Sequence, residues 1–363
     1  VTPVHYRNRL IVGDQEIGLD RPTYFIADIA SNHDRDLERA KALIWLAKEA
    51  GADAAKFQHF KASQLVSAKG FGALDISAAH QDAWGKSVYA VYEENEYQRD
   101  WDDALAAECA KSDIHFMTSP YDRAAIDSIA ARVAAFKIGS GDITTPEIVE
   151  RIAEKGKTVF LATGASDLPD VVRAVGWVLA RNPALGLMQC NTNYTGSLEN
   201  LHHINLRALD TYRALWPGMV LGLSDHTPGW VTVLGAVALG ARCIEKHFTD
   251  DNARKGPDHP FSMNPKTWRE MVDRTRELEA ALGDGFKRVQ DNERETVVVQ
   301  RRGLHLARDM AAGETLAAAD LVSLRPATPK AFFPYERQAI AGRPLTVAKK
   351  AGEPLYRSDV AAD

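Results

Sequence analysis

The sequence predicts a (β/α)8 barrel of the TIM type followed by a small, mostly-β domain. Three observations carry this expectation. Short apolar runs alternate with stretches that are amphipathic at helical spacing, the pattern of parallel strands joined by crossover helices. Eight such runs fall within roughly 250 residues, which suits a closed barrel rather than an open sheet. From about Arg301 the texture changes to short strands and turns.

Taken in order, "RLIVGDQEIG" reads as a hairpin turning near Gly13-Asp14, a plug for the barrel floor. The eight strands are then "YFIADIA", "AAKFQHF", "HFMTSP", "AFKIGSG", "TVFLATG", "LGLMQCN", "VLGLSDH" and "CIEKHFT". Between the first two, Leu37, Ala40, Leu43, Ile44 and Ala47 recur at helical spacing. "PEIVERIAEKGK" opens with Pro146 in a first-turn position and stops at Gly156. Residues 61–96, rich in aromatics and histidine, form an insertion after the second strand, hence on the catalytic face. "PKTWREMVDRTRELEAALG" is the last barrel helix. The barrel with its hairpin is assigned to 1–284, a linker to 285–300 and the small domain to 301–363. Each half of that domain carries a Gly-Glu turn, "AAGETL" or "KAGEPL", followed by an Asp. A domain of this size buries little core alone, so it is expected to dock on something.

With 45% hydrophobic and 26% charged residues, the 363-residue chain reads as a soluble globular protein. A formal charge of -5 argues against a nucleic-acid partner. No apolar run approaches the roughly 18 residues that span a bilayer, and no signal-peptide core precedes the barrel, so no membrane partner and a cytoplasmic location are expected. The three scattered cysteines read as reduced, buried thiols.

Active sites of such barrels form at the C-terminal strand ends, and these ends are polar here. They carry Asp28, Lys56, Gln58, Thr118, Ser119, Lys137, Ser140, Asp142, Asn191, Thr192, Tyr194, Ser224, Asp225, His226, Glu245 and His247. Every second residue of a strand faces inward, which pairs Lys56 with Gln58, Ser224 with His226 and Glu245 with His247. Adjacent strands lie about 5 Å apart, so His226 and His247 are able to converge on a divalent metal. Two separately hydrogen-bonded histidines are the alternative. Inward lysines need anionic partners. Either Lys56 and Lys137 form salt bridges with Asp28 or Asp142, or they join Thr118, Ser119, Ser140 and Ser224 in a cradle for phosphate and carboxylate. The loop "DDNARKGPDHPFS" places Arg254, Asp258 and His259 at the mouth.

At these residues the chain resembles the sialic acid synthase family, the nonulosonic acid synthases. The carrying motifs include "KFQ", "TSPYD", "FKIGSGDI", "ATGAS", "GLSDHT", "IEKHFT" and "GPDHPFS", then "RRGLHLARDM" and "AGETL". The resemblance covers nearly the whole chain and implies a metal-dependent barrel followed by an antifreeze-like (SAF) domain. It implies that His226 and His247 hold a divalent metal, Mn2+ first, with Mg2+ or Co2+ possible. It implies phosphoenolpyruvate on Lys56, Ser119, Ser140, Thr192 and Ser224. It implies a sugar held by Gln58, Lys137, Tyr194, Glu245 and Asp258, with Arg302 (or Arg301) reaching it from the partner's C-terminal domain in a swapped homodimer. Two departures are visible. Asp28 and Asp142 stand where the family usually has Glu, each shorter by about 1.5 Å, one C–C bond. Thr195 follows Tyr194 where proline is commoner.

The implied reaction condenses phosphoenolpyruvate with the aldehyde of an open-chain 2-acylamino hexose, N-acetylmannosamine or a close relative, with Glu245, Asp28 and Lys137 as catalytic groups. A diacetamido-trideoxyhexose acceptor, giving a legionaminate- or pseudaminate-type acid, is the alternative. A metal-dependent aldolase or hydrolase, or a carbohydrate-binding module, are the readings from other classes.

Overall fold

The computed structural model describes residues 5–74 and 84–362; part of the insertion expected at 61–96 therefore lies outside the described residues. The chain divides into two compact units, Val1–Gly283 and Asp284–Asp363.

In the first unit, β1 (Arg9–Val12) and β2 (Gln15–Gly18) pair as an antiparallel hairpin. Eight parallel strands follow: β3 (Tyr24–Asp28), β4 (Ala54–His59), β5 (His115–Pro120), β6 (Ala135–Ile138), β7 (Thr158–Ala162), β8 (Leu185–Cys190), β9 (Val220–Asp225) and β10 (Cys243–His247). They close into a barrel in chain order, β10 pairing with β3. The register sets His247 beside Asp28, Asp28 beside Lys56, and Lys246 beside Asp225.

Helices form where the periodicity placed them. In Leu37–Glu49 the buried face is Ala40, Leu43, Ile44 and Ala47, and the Asp36 carboxylate caps the first turn at the amides of Glu38 and Arg39. Pro146 opens the helix Pro146–Ala153, and Gly156 beyond it has a positive φ of 70°. Pro265–Leu282 is capped by Asn264 and stops at Gly283.

The barrel has two apolar layers and one polar end. Outward side chains such as Phe25, Phe57, Phe136 and Leu161 pack under the helices. Inside, the lower lumen is filled by Tyr24, Ile26, Met117, Phe160 and Met188 together with Leu10, Val12 and Ile17 of the hairpin. The hairpin thus plugs the floor. Its three side chains are at most 1% exposed, each contributing about 1.5–3 kcal/mol by burial. Above this layer the lumen becomes ionic.

In the second unit β11 (Gly303–Leu306) and β12 (Leu321–Leu324) pair antiparallel. The core holds ten residues, among them Leu304, Leu306, Met310, Phe332 and Leu355. The two Gly-Glu segments lead to the same device: Asp320 accepts from the Ala317 amide and Asp359 from the Tyr356 amide. The stretch expected as a linker contains a helix, Arg294–Gln300, and clusters with this unit; the Val298 carbonyl accepts from the Ala327 amide.

Candidate active site

Four strands deliver two lysines and two carboxylates to the upper lumen. Lys56 Nζ on β4 donates to Asp28 Oδ2 on β3 at 2.7 Å and to Ser119 Oγ on β5 at 3.3 Å. Lys137 Nζ on β6 donates to Glu245 Oε1 on β10 at 2.7 Å and to Ser224 Oγ on β9 at 3.2 Å. Lys56 lies 3.8 Å from the same Glu245 oxygen, which links the two pairs. Lys56, Asp28, Lys137 and Glu245 are each at most 4% exposed. Burial pushes both carboxyls up, but the lysines outweigh it and hold them below the usual carboxylate range. Lys56 is likewise raised: burial lowers it, and Asp28 and Glu245 more than offset this. Lys56 is therefore an ammonium ion. Lys137 pairs with Glu245 across the barrel and has no ion pair with Asp142.

Asp28 is fully engaged. Its Oδ2 also accepts from Gln58 Nε2 at 2.9 Å, and its Oδ1 from the Ala30 amide at 3.1 Å. The Oε2 atom of Glu245 is buried without a hydrogen-bond partner among the described residues.

Hydroxyls line the next sector. Ser140 Oγ accepts from the Gly164 amide at 3.0 Å. A Cβ at Gly164 would stand 2.0 Å from Thr192 Oγ1 and 2.8 Å from Ser140 Oγ, so only glycine leaves this corner open. Thr192 Oγ1 is buried without a partner among the described residues, a cost that an incoming acceptor would relieve. Thr118 does not join the cradle. It points out of the lumen and bonds His59 Nδ1 at 2.6 Å, while His59 Nε2 meets Asp102 at 2.9 Å.

His226 and His247 come together, their ring centroids 5.4 Å apart. Tyr194 and Phe261 flank them, at 4.4 Å from His226 and 4.8 Å from His247 respectively. His226 Nδ1 donates to the Asn191 carbonyl at 3.0 Å, which directs Nε2 away from the backbone. Burial lowers His226, but its contact with Cys190 and this carbonyl more than offsets that and raises it. Burial pulls His247 down to about 3, so its ring is neutral, and its Nδ1 is buried without a partner among the described residues. Asp28 Oδ2 lies 3.6 Å from His247 Nε2, and Asp258 Oδ2 lies 4.0 Å from its Nδ1. No set of three or more His, Cys, Asp or Glu among the described residues has metal-binding geometry. Two imidazoles with an unused ring nitrogen fit a divalent ion whose remaining positions are open to water and substrate.

Over this floor sits a cavity of about 390 Å3. Gln58, Ser140, Asp142, Thr192, Tyr194, His247, Asp258 and Phe261 line the barrel side, and the insertion supplies Leu65, Val66, Phe71, Trp84, Val91 and Tyr92. Asp258 accepts from the Ser31 amide at 3.1 Å, and burial raises its carboxyl to about 6. Its loop neighbours are used internally: buried His259 bonds Thr249 and Asp34, and Arg254 pairs with Asp34 and Asp250. Arg302 belongs to the second unit, is exposed, and has Nη1 3.4 Å from the Ser323 carbonyl. Sequence reasoning passed over Gly164, Trp84, Tyr92 and Phe261 as site residues. Their only signals were a glycine at a strand end, the aromatic content of the insertion and, for Phe261, its place in the mouth loop "GPDHPFS".

Residues 43–287 match the NeuB family, and residues 301–361 match the SAF domain. The chain belongs to the NeuB family. Among NeuB relatives, the N,N'-diacetyllegionaminic acid synthase of Legionella pneumophila is 35% identical, over 98% of this chain and 99% of that one. The human N-acetylneuraminate-9-phosphate synthase is 30% identical, over 91% of this chain and 90% of that one. The crystal structure of N-acetylneuraminic acid synthetase from Leptospira borgpetersenii, in complex with citrate, superposes with a TM-score of 0.70 at 28% identity, covering 81% of this chain and 96% of that one. The barrel and SAF architecture expected from the sequence is thus the architecture of the NeuB family.

Proposed function

We propose that the protein condenses phosphoenolpyruvate with the aldehyde of an open-chain 2-acylamino hexose, giving a nine-carbon 2-keto acid and phosphate. The observation that carries this reading is the set of two buried lysines and converging hydroxyls beside two imidazoles, in a chain of the NeuB family. Phosphoenolpyruvate brings a phosphate and a carboxylate, and Lys56 and Lys137 supply the opposing charge. Ser119, Ser140, Thr192 and Ser224 donate to its oxygens. Gln58, Tyr194 and Asp258 face the sugar.

His226 and His247 would hold a divalent ion, Mn2+ before Mg2+ or Co2+, which when bound supplies Lewis acidity to the aldehyde oxygen. Carbon 3 of phosphoenolpyruvate bonds to the aldehyde carbon, whose oxygen gains a proton. Water adds to carbon 2, its oxygen becomes the keto oxygen, and phosphate leaves with the bridging oxygen. The free Oε2 of Glu245 is placed to take and return a proton during this exchange. Phe261 and Tyr194 shield the imidazoles from bulk water.

The acceptor is N-acetylmannosamine or a close relative, a diacetamido-trideoxyhexose included. We also propose a homodimer in which the SAF domain covers the partner's barrel and brings Arg302 over the sugar. The exposed Arg302 and the ten-residue core of that domain support this. No helix among the described residues is long and apolar enough to cross a membrane. Cys109, Cys190 and Cys243 are buried free thiols, which supports a reducing, cytoplasmic setting. The test is phosphate release from phosphoenolpyruvate across a panel of acylamino hexoses, before and after chelation. Release requiring both substrates and a restored metal is expected; release from phosphoenolpyruvate alone would contradict the proposal.

A further inference from the structure

The floor and the walls of the cavity at the barrel mouth differ in charge. Lys56 and Lys137 lie in the floor and are already paired with Asp28 and Glu245. Above them, the described residues lining the cavity include no lysine or arginine; the charged ones are the carboxylates Asp142 and Asp258. Asp142 forms no ion pair among the described residues, and burial alone raises its carboxyl to about 6. A second anion brought against it would meet repulsion in a poorly solvated site.

The wall from the insertion is apolar. Leu65, Val66, Phe71, Trp84 and Val91 face the cavity, with Tyr92 beside them. Tyr92 stacks edge-on against Phe60 at 5.5 Å, which fixes its ring in the wall. With the acceptor's aldehyde at the imidazoles and the floor filled by lysines and serines, the sugar's other end must point outward to this wall.

We propose that the insertion reads the far end of the acceptor sugar, and that this end is uncharged and carries an apolar group, a deoxy methyl or a second acylamino group, instead of a phosphate. The inference rests on the condensation reading above and narrows its substrate class. Trp84 and Phe71 are then specificity residues for the acceptor and not for phosphoenolpyruvate.

The experiment measures kcat/KM by phosphate release for three acceptors with the full-length, metal-loaded protein. They are N-acetylmannosamine, its 6-phosphate, and a 2,4-diacetamido-2,4,6-trideoxyhexose. The 6-phosphate should fall at least about a hundredfold below the best neutral acceptor, and the deoxy acceptor should rank first. A missing contact in an apolar pocket changes discrimination by about 10- to 200-fold. Trp84→Ala and, separately, Phe71→Leu should therefore raise KM for the deoxy acceptor at least about tenfold, with KM for phosphoenolpyruvate unchanged. Phe71→Leu keeps an apolar side chain, so it reads specificity even where the larger truncation perturbs folding. A 6-phosphate that matches or exceeds the neutral acceptors overturns the inference, as does an unchanged acceptor KM in both variants. If no acylamino hexose of any kind turns over, it is the condensation reading that falls.

Discussion

Lys56 meets Asp28, Ser119 and Glu245 on three other strands, so its charge is fixed before any substrate arrives. Lys56→Ala should weaken phosphoenolpyruvate far more than the sugar. Loss of one charge-assisted bond costs about 1.5–3 kcal/mol, and a ten- to hundredfold rise in KM for phosphoenolpyruvate alone is the expected reading. The inward phase of Lys56 and Gln58 was legible from strand alternation. The same alternation should have sent Thr118 outward once Ser119 was placed inward. The partner of Lys137 was not legible, because β6 and β10 stand on opposite sides of the ring and no spacing in the chain chooses Glu245 over Asp142. A second residue-scale prediction concerns His33, packed against Phe57, Tyr97 and Trp101. Burial lowers it to about 4. The unfolded chain, near 6.5, binds the proton more readily, so protonation draws the protein toward unfolding. This contribution is complete above about pH 6.5 and is lost as pH falls toward 4, at about 3 kcal/mol for the full shift. Melting curves from pH 7 to 4.5 should fall more steeply for the native chain than for His33→Phe; parallel slopes would count against it.

The ends of β9 and β10 are held together from outside the lumen. Lys246 is ion-paired to Asp225 and also donates to the Thr227 carbonyl, and Asp225 accepts from Thr227 and Thr232. Both ions are at most 3% exposed. Each is followed directly by one of the two histidines, so the pair fixes how those rings approach one another. Removing one partner of a buried pair costs about 3–5 kcal/mol because the other charge is stranded. Lys246→Met should show a loss of that order in denaturant unfolding, and Asp225→Asn with Lys246→Met a smaller one. The barrel strands and the helices at 37–49, 146–153 and 265–282 were readable from apolar period and from caps. The helix Arg294–Gln300 was not, because its valine run has weak helix propensity and only contacts such as that of Val298 with Ala327 reveal it. Gly164 was equally silent: its contribution is a missing Cβ, and nothing in a strand-end glycine says which hydroxyls would fill the gap.

The proposal for the whole molecule makes two subunits share each active site. Arg302→Ala and His226→Ala proteins should each be inactive alone, and mixing them under subunit exchange should restore activity to heterodimers that combine an intact barrel with an intact arginine. Demonstrated exchange without recovered activity would place the arginine in its own subunit. The central claim, a condensation that breaks the C–O bond of phosphoenolpyruvate, has a more direct test. Phosphoenolpyruvate labelled with 18O at the bridging oxygen is turned over with an acylamino hexose, and the products are weighed by mass spectrometry. The account predicts the label in the released phosphate, only when both substrates are present; label in the keto acid, or labelled phosphate formed without the sugar, would contradict it.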